Sequence, residues 1–186
     1  MGRRGRANLT DEHFFFVTTT VVKYIPIFED HSFCDILIEN IKFYQNRYRF
    51  EILAYVIMPS HFHWIVEVKA KYGTISDIMR DIKKFTAWKI FDEIDKGKHK
   101  ELENIFREEA KGLVDQKRKF WMPRFDDEVI RNQKMFWVKL EYIHNNSVKA
   151  GLVYKPEDYK YSSARNYLTD DHSILKVNTE MGGVKL

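Results

Sequence analysis

Two histidines, His61 and His63, are separated by one phenylalanine in the run HFHWIVEV. On a β-strand, side chains at positions i and i+2 project from the same face, so both imidazoles point together while Phe62 points into the core. A neutral imidazole nitrogen is a common ligand of divalent metal ions. The spacing therefore predicts a metal site, and two polar residues on the solvent face of a strand are the alternative.

A tyrosine and an asparagine are spaced for one face of a helix in the run LEYIHNNSVKAGLV. Tyr142 and Asn146 are four residues apart, which brings them together on an α-helix. A phenol beside an amide oxygen can act as a nucleophile beside a third metal ligand. The alternative is that Tyr142, one of 10 tyrosines, packs on a sheet. His144 falls on a different helix face, so we expect it outside this cluster.

The elements that would position these residues follow from hydrophobic spacing and turn residues. Aromatic and β-branched runs predict strands over residues 13–22, 49–57 and 62–68. The short connection Met58-Pro59-Ser60 indicates that the last two form a hairpin. Apolar residues at helical spacing predict helices over residues 31–45, 75–94 and 133–147. This order predicts an α+β sandwich in which an antiparallel sheet carries helices on one face.

Length and composition predict one folded domain, since 186 residues with 44% hydrophobic content can bury a self-sufficient core. We predict a basic N-terminal arm over residues 1–12, a domain over residues 13–168 and a C-terminal tail over residues 169–186. Residues 95–119 are highly charged and are interpreted as a helical insertion with a solvated surface. Residues 120–130 mix aromatics, a proline and an acidic run, which predicts an irregular strand or a loop.

Composition also restricts the class of protein. Cys34 is the sole cysteine, which excludes a disulfide framework and a thiolate metal cluster. No apolar run approaches the ~18 residues that span a bilayer, and no apolar signal core follows the N-terminal arginines. We therefore expect no membrane partner and a cytoplasmic location. The net charge of +4 and the pI near 9.0 fit a phosphate-bearing partner without requiring one.

Five stretches, collinear over most of residues 13–167, carry a family resemblance: FFFVTTTVVKYIPIF, AYVIMPSHFHWIVEV, ISDIMRDIKKFTAWKI, WMPRFDDEVIRN and YIHNNSVKAGLVYKPEDYKYSSARNY. In this order they resemble the single-tyrosine HUH transposases of insertion sequences, especially the REP-associated tyrosine transposases. The shared order is far more specific than any single motif. The resemblance implies a ferredoxin-like HUH fold, with an antiparallel sheet and helices packed mainly on one face.

The resemblance also implies the roles of the candidate residues. His61 and His63 would be the paired metal ligands, Tyr142 the nucleophile, and Asn146 the residue that completes the metal shell. The cofactor would be Mg²⁺ or Mn²⁺, and two histidines favour Mn²⁺ because Mg²⁺ prefers oxygen ligands. The implied activity is cleavage and rejoining of single-stranded DNA with hairpins or palindromic repeats. It would proceed through a 5′-phosphotyrosine intermediate and need no nucleotide cofactor.

Two further groups have alternative interpretations. The acidic run Asp126, Asp127 and Glu128 can supply a metal ligand or form a solvated turn. Because a phenol is mostly protonated at pH 7, the nucleophile needs a base or the field of the metal. His144 can supply that base, or it can be an ordinary surface or core histidine.

Basic and aromatic residues provide candidate DNA contacts. The basic candidates lie on the N-terminal arm and the second helix: Arg3, Arg4, Arg6, Arg80, Lys83 and Lys84. Such phosphate contacts set affinity and salt dependence without reading sequence. Three tryptophans can stack on unpaired bases or belong to the core: Trp64, Trp88 and Trp121.

Three rival functions use the same residues. A domesticated relative would bind hairpin DNA or RNA without cutting it, although the intact His61, His63 and Tyr142 argue against this. A replication initiator or relaxase of the wider HUH class would use similar chemistry, but usually carries further domains for which 186 residues leave no room. A globular protein with a structural metal would bind metal without strand transfer. The oligomeric state is also open. The protein could be a monomer, or a homodimer in which the tyrosine of one chain serves the metal site of the other.

Overall fold

The computed structural model of the chain describes residues 13–180. In chain order its strands and helices are β1 (Phe14–Thr20), α1 (His31–Tyr48), β2 (Glu51–Met58), β3 (His61–Glu67), α2 (Ile75–Glu93), α3 (Lys100–Glu108), β4 (Asp126–Val129), α4 (Gln133–Lys149) and α5 (Ala164–Thr169). The predicted arm, with Arg3, Arg4 and Arg6, lies outside the described residues. None of the helices in the described part of the chain has the length and apolarity needed to cross a membrane.

Four antiparallel strands form one sheet in the spatial order β2-β3-β1-β4. Along the chain the order is β1-α1-β2-β3-α2-β4, with α3 inserted before β4. This combination of chain order and spatial order is the ferredoxin-like arrangement. The prediction of an α+β, ferredoxin-like fold with an antiparallel sheet is therefore confirmed.

Strand alternation gives the sheet two buried faces. Phe15 and Val17 of β1 belong to a large apolar cluster with α1 and α2, whereas Phe16 belongs to a smaller cluster with α4. The side chains of consecutive strand residues point to opposite faces, which explains this division. Helices α1 and α2 thus cover one face, as the sequence predicts, and α4 alone among the long helices covers the other. We call these the α1/α2 face and the α4 face.

Capping residues begin the long helices. Thr74 and Asp77 form a capping box at the start of α2, and Asn132 accepts a hydrogen bond from the backbone N–H of Met135 in α4. Helix α1 continues to Tyr48, three residues beyond the predicted end. It continues because Tyr48 extends the buried stripe of α1 and hydrogen-bonds to Asp81 of α2.

The charged segment 95–119 differs from the helical insertion that its composition predicts. A π-helical turn at Ile94–Lys98 leads into α3, and residues 109–119 form turns and coil. Phe106 of α3 is fully buried and packs between Phe91 and Phe120, with ring centroids 5.5 and 5.1 Å away. Phe106, with Leu102 and Ile105 packed against the same cluster, therefore ties a highly charged segment into the core, which its composition did not indicate.

The residues that follow α5 also contact the sheet. Leu175 and Val177 are buried in the large cluster, and the backbone N–H of Asn178 donates to the carbonyl of Ile52 in β2. Residues 126–129, three of them acidic, form β4, an edge strand, within the region predicted to be an irregular strand or loop. The domain limits at residues 12 and 168 remain predictions.

We predict that Phe106→Ala lowers the free energy of unfolding by about 3–5 kcal/mol, because it removes a fully buried ring and leaves a cavity. Val114→Ala, in the same segment but 97% exposed, should change it by less than about 0.5 kcal/mol. Urea unfolding followed by circular dichroism measures both. A decrease below about 1 kcal/mol for Phe106→Ala would show that α3 contributes little to the core.

Candidate active site

Both histidines of the His61–His63 pair lie on the α4 face of β3. Their ring centroids are 4.8 Å apart, while the intervening Phe62 is buried in the cluster on the opposite face. The structure therefore confirms that the two imidazoles project together from the strand. His63 is only 4% exposed, and His61 is half-buried.

The register between β1 and β3 places Thr18 directly opposite His63. Thr18 Oγ1 and His63 Nδ1 are 2.7 Å apart and form a hydrogen bond. This bond orients the imidazole in the way that carboxylates or carbonyls orient metal-binding histidines elsewhere. The other ring nitrogen, Nε2, is left free to meet a group above the sheet.

That group is the hydroxyl of Tyr142, which α4 holds over the sheet. Tyr142 Oη and His63 Nε2 are 3.4 Å apart, and their rings meet edge to face with centroids 5.1 Å apart. Phe16 of β1 lies against both rings, stacked on His63 and edge-on to Tyr142. Tyr142 remains 40% exposed, so this side of the cluster is open to solvent. We name His61, His63 and Tyr142 the histidine–tyrosine cluster.

Asn146 lies one helical turn beyond Tyr142 on α4 and is half-buried. Among the described residues, no group of three or more His, Cys, Asp or Glu side chains is close enough to hold a metal ion. A cation held by His61 and His63 would therefore need amide, phenol or phosphate oxygens to complete its shell. The role of Asn146 as a third ligand fits this requirement and remains a prediction.

His144 lies outside the histidine–tyrosine cluster, as its place on the helix predicts. Its Nε2 is 2.9 Å from Ser163 Oγ, and its ring packs against Tyr167. This position separates His144 from the phenol for which it was a candidate base.

The acidic run is not the solvated turn that its composition favours, because it pairs along β1 as strand β4. Asp126 is opposite Thr18, and Glu128 forms an ion pair with Lys139 at 2.6 Å. The strand forms because these residues continue the ladder that Phe14–Thr20 leaves open at its free edge.

Burial keeps the histidines of this region neutral. The pKa of His63 is lowered to about 3, mainly by burial and further by the neighbouring His61 and Lys139. Burial also lowers the pKa of His61, and it lowers the pKa of His144 to about 4. At neutral pH these rings are uncharged, which is the form that binds metal ions.

Three residues complete the surroundings of the cluster and were not predicted: Phe16, Thr18 and Lys139. Lys139 Nζ lies 4.5 Å from the centroid of the Phe16 ring, beneath the exposed side of α4. Lys139 precedes Tyr142 by three residues, so helical spacing could have found it. Thr18 and Phe16 depend on how β1 pairs with β3, which a single sequence does not specify.

The candidate DNA contacts of α2 lie on the α1/α2 side of the molecule and differ in availability. Lys83 Nζ donates to the carbonyls of Met122 and Arg124, at 3.0 and 3.1 Å. Arg80 is ion-paired with Asp77 and Asp81. Lys84, in contrast, is exposed and forms no ion pair with the residues that the structure describes.

The three candidate tryptophans also differ in exposure. Trp64 and Trp121 are buried in the core, with exposures of 0% and 7%, whereas Trp88 is 58% exposed. Of the three, Trp88 alone presents its ring to solvent and can stack on an unpaired base.

A ferredoxin-like sheet with paired histidines beneath a helix-borne tyrosine is the arrangement expected of the tyrosine transposases that the sequence resembles. Comparison with known families agrees with this class. The family described as "Transposase IS200 like" matches residues 11–109, which is more than half of the chain and includes His61 and His63. The chain belongs to this transposase family. Tyr142 and Asn146 lie beyond the matched residues.

Two individual proteins are similar to this chain. The REP-associated tyrosine transposase of Escherichia coli (strain K12) is 31% identical over 115 residues, which is 61% of this chain and 54% of that protein. The chain thus spans about half the length of this curated relative. A solved structure of a REP-associated tyrosine transposase bound to a REP hairpin superposes with a TM-score of 0.64 at 22% identity, covering 90% of this chain and 93% of that one. This second likeness shows a shared fold.

We predict a pH-dependent loss of stability that originates at His63. The unfolded chain takes up a proton at this ring below about pH 6.5, whereas the folded protein does so only near its lowered pKa of about 3. Stability contributed by the neutral ring is therefore complete above pH 6.5 and is lost as the pH falls toward 3. The expected slope is about 1.4 kcal/mol per pH unit.

The test compares the free energy of unfolding between pH 6.5 and 4.5 for the unaltered protein and for His63→Asn, whose amide can still meet Thr18. The slope should be smaller in the variant by about 1.4 kcal/mol per pH unit. His31→Asn, at an exposed histidine, serves as the control. Equal slopes in the unaltered protein and in His63→Asn would contradict the assignment.

Proposed function

We propose that this transposase cleaves and rejoins single-stranded DNA that carries a hairpin, with Tyr142 as its nucleophile. The observation that carries the proposal is the Tyr142 hydroxyl, which lies 3.4 Å from a ring nitrogen of the neutral His63 on a side chain that is 40% exposed. Membership of the IS200-like family supports strand cleavage as the reaction. The solved relative bound to a REP hairpin supports hairpin DNA as the substrate class.

The chemistry follows from the phenol. Tyr142 Oη attacks the scissile phosphorus and forms a new P–O bond, while the bond from phosphorus to the 3′ oxygen breaks. The phenol gives up its proton, and the departing 3′ oxygen takes one to become a hydroxyl. The product is a 5′-phosphotyrosine that conserves the energy of the phosphodiester, so attack by another 3′-hydroxyl rejoins DNA and restores Tyr142. No nucleotide cofactor is required.

His61 and His63 fit a divalent metal. Their rings are neighbours on one face, both are neutral at pH 7, and the hydroxyl of Thr18 anchors His63 through Nδ1. We propose that they hold Mg²⁺ or Mn²⁺ with Asn146 as a further ligand, and two imidazoles favour Mn²⁺. The bound cation would polarise the scissile phosphate as a Lewis acid.

The ring of His63 links the metal site to the nucleophile. Nε2 offers one lone pair, so metal ligation through Nε2 and the contact with the Tyr142 hydroxyl exclude each other. Tyr142 is 40% exposed at the flank of α4 that meets the sheet, so its side chain can turn toward a phosphate while the helix stays intact.

We predict that Tyr142→Phe abolishes a covalent protein–DNA adduct. The unaltered protein, incubated with Mn²⁺ or Mg²⁺ and a library of labelled single-stranded hairpin oligonucleotides, should give an SDS-resistant adduct that chelation prevents. Tyr154→Phe is the matched control, because Tyr154 is 98% exposed and lies outside α4, beyond its end at Lys149. A phenylalanine in place of Tyr142 lacks the attacking oxygen, so no adduct should be detected.

An adduct that survives in Tyr142→Phe would remove Tyr142 from its proposed role. Hairpin binding without any adduct would favour the rival function, a hairpin-binding protein without strand transfer. Mixing Tyr142→Phe with His63→Ala tests the homodimer. Adduct formation restored by mixing would show that the tyrosine of one chain serves the histidines of another.

We predict that Thr18→Val weakens Mn²⁺ binding by about 10- to 100-fold, because it removes the hydrogen bond that orients His63. Thr20→Val is the control, since Thr20 is on the same strand and face but its hydroxyl forms no hydrogen bond to a histidine ring among the described residues. Isothermal titration calorimetry of the unaltered protein and both variants measures the affinities. Unchanged affinity in Thr18→Val would show that His63 does not depend on this hydroxyl.

A further inference from the structure

A groove of about 800 Å³ lies between α2 and the segment 113–125, on the α1/α2 side of the molecule. Its walls combine aromatic and basic side chains, including Trp88, Phe125, Lys84 and Lys117. The histidine–tyrosine cluster lies on the other face of the sheet. The proposed strand-cleavage reaction therefore assigns no role to this groove.

The groove has a rigid inner wall. Lys83 of α2 bridges the carbonyls of Met122 and Arg124, and the indole N–H of Trp121 donates to the carbonyl of Lys83 at 2.9 Å. These three hydrogen bonds hold residues 121–124 against α2. The groove therefore has a fixed shape on this side, which lowers the entropic cost of binding a ligand.

Trp88 provides a stacking surface at this groove. It is 58% exposed, and its ring meets Phe85 edge to face with centroids 5.2 Å apart. Lys84 Nζ lies 4.7 Å from the centroid of the Trp88 indole ring. An exposed indole with an ammonium group over its ring combines the two features that bind unpaired nucleotides, a π-face for the base and a cation for the phosphate.

The charge of the groove is positive after internal pairing. Asp115 is the acidic residue of its lining, against six basic ones: Arg80, Lys83, Lys84, Lys117, Arg118 and Lys119. Arg80 and Arg118 are neutralised by carboxylates outside the groove. Lys84 and Lys117 form no ion pair within the described part of the chain, so their charges are available to an anion. A polyanion with planar rings fits this surface better than an acidic peptide does.

We propose that the groove binds an unpaired segment of single-stranded DNA, with a base stacked on Trp88 and adjacent phosphates contacted by Lys84 and Lys117. This inference rests on the proposed function and deepens it, since it proposes a second DNA-binding surface apart from the histidine–tyrosine cluster. The segment that walls the groove continues directly into β4, the edge strand whose Asp126 is opposite Thr18. A single strand that rounds this edge would join the groove to the histidine–tyrosine cluster.

The experiment measures binding of a 5′-fluorescein-labelled dT₁₂ oligonucleotide by fluorescence anisotropy, without metal, at several salt concentrations. Trp88→Ala should weaken binding by about 5- to 100-fold because base stacking is removed, and Trp88→Phe should retain most of the affinity. Phe43→Ala, at a 59% exposed aromatic of α1 outside the groove, should leave it unchanged. Thermal melting of each variant checks that the fold is intact.

The lysines are tested by salt dependence. The double variant Lys84→Gln, Lys117→Gln should reduce the slope of log affinity against log salt by about 1.4, or about 0.7 for each phosphate that is no longer neutralised. Lys155→Gln, at an exposed lysine outside the groove, should leave the slope unchanged. Equally weakened binding in Trp88→Ala and Phe43→Ala, or no measurable dT₁₂ binding by the unaltered protein, would overturn the proposal.

Two further outcomes separate this proposal from its alternatives. A twelve-residue polyglutamate that competes with dT₁₂ and shows the same dependence on Trp88 would overturn it in favour of an acidic peptide. If the groove variants bind dT₁₂ normally while the Tyr142-dependent adduct still forms, the groove proposal fails and the proposed function stands. If groove binding is confirmed and no adduct forms with any metal, the groove proposal stands and strand cleavage fails.

Discussion

The pairing of β1 with β3 is the constraint on which the candidate site depends. Its register sets Thr18 opposite His63 and Thr20 opposite His61, and it brings Phe16 under the same face. A shift of one residue in β3 would turn both imidazoles into the apolar α1/α2 face, because strand side chains alternate. Core packing resists such a shift, since Phe62 and Trp64 occupy that face and are almost fully buried. Phe62 and Trp64 thus help to fix the geometry of the candidate site, although both lie on the opposite face of the sheet.

The same register also provides a hydrogen-bond partner for His63, whose burial favours the uncharged form of the ring. A charged imidazole in this position would lose its hydration, and burial accordingly lowers the pKa of His63 to about 3. The neutral ring still carries one donor and one acceptor nitrogen, and both need partners when buried. Thr18 satisfies one, and Tyr142 meets the other from α4. Strand pairing and helix packing therefore meet at one ring, which makes His63 the structural link between the sheet and Tyr142 of α4.

Much of this could be predicted from the sequence, because periodicity and spacing are local properties. The alternation around Phe62 predicts that His61 and His63 point together, and helical spacing separates His144 from Tyr142. The contacts of Thr18 with His63 join residues 45 positions apart, and only strand register defines them. Periodicity also fails to show which tryptophans are buried. Trp88 continues the apolar spacing of α2, yet it lies outside the buried stripe that includes Ile82 and Ile90. The burial of Phe106 is equally hard to predict from the sequence, because most of the residues around it are charged.

The two faces of the sheet differ in how available their lysine side chains are to the phosphates of a DNA substrate. Beside the histidine–tyrosine cluster, Lys139 is held by Glu128 and by the ring of Phe16, so a phosphate that recruits this lysine must first displace a carboxylate. At the groove, Lys84 and Lys117 form no ion pair among the described residues, and their charge can meet a phosphate without such an exchange. Lys84 and Lys117 are therefore more available to a phosphate than Lys139 is. Under the proposed function, this arrangement would let one face hold a strand while the phenol on the other face carries out the reaction.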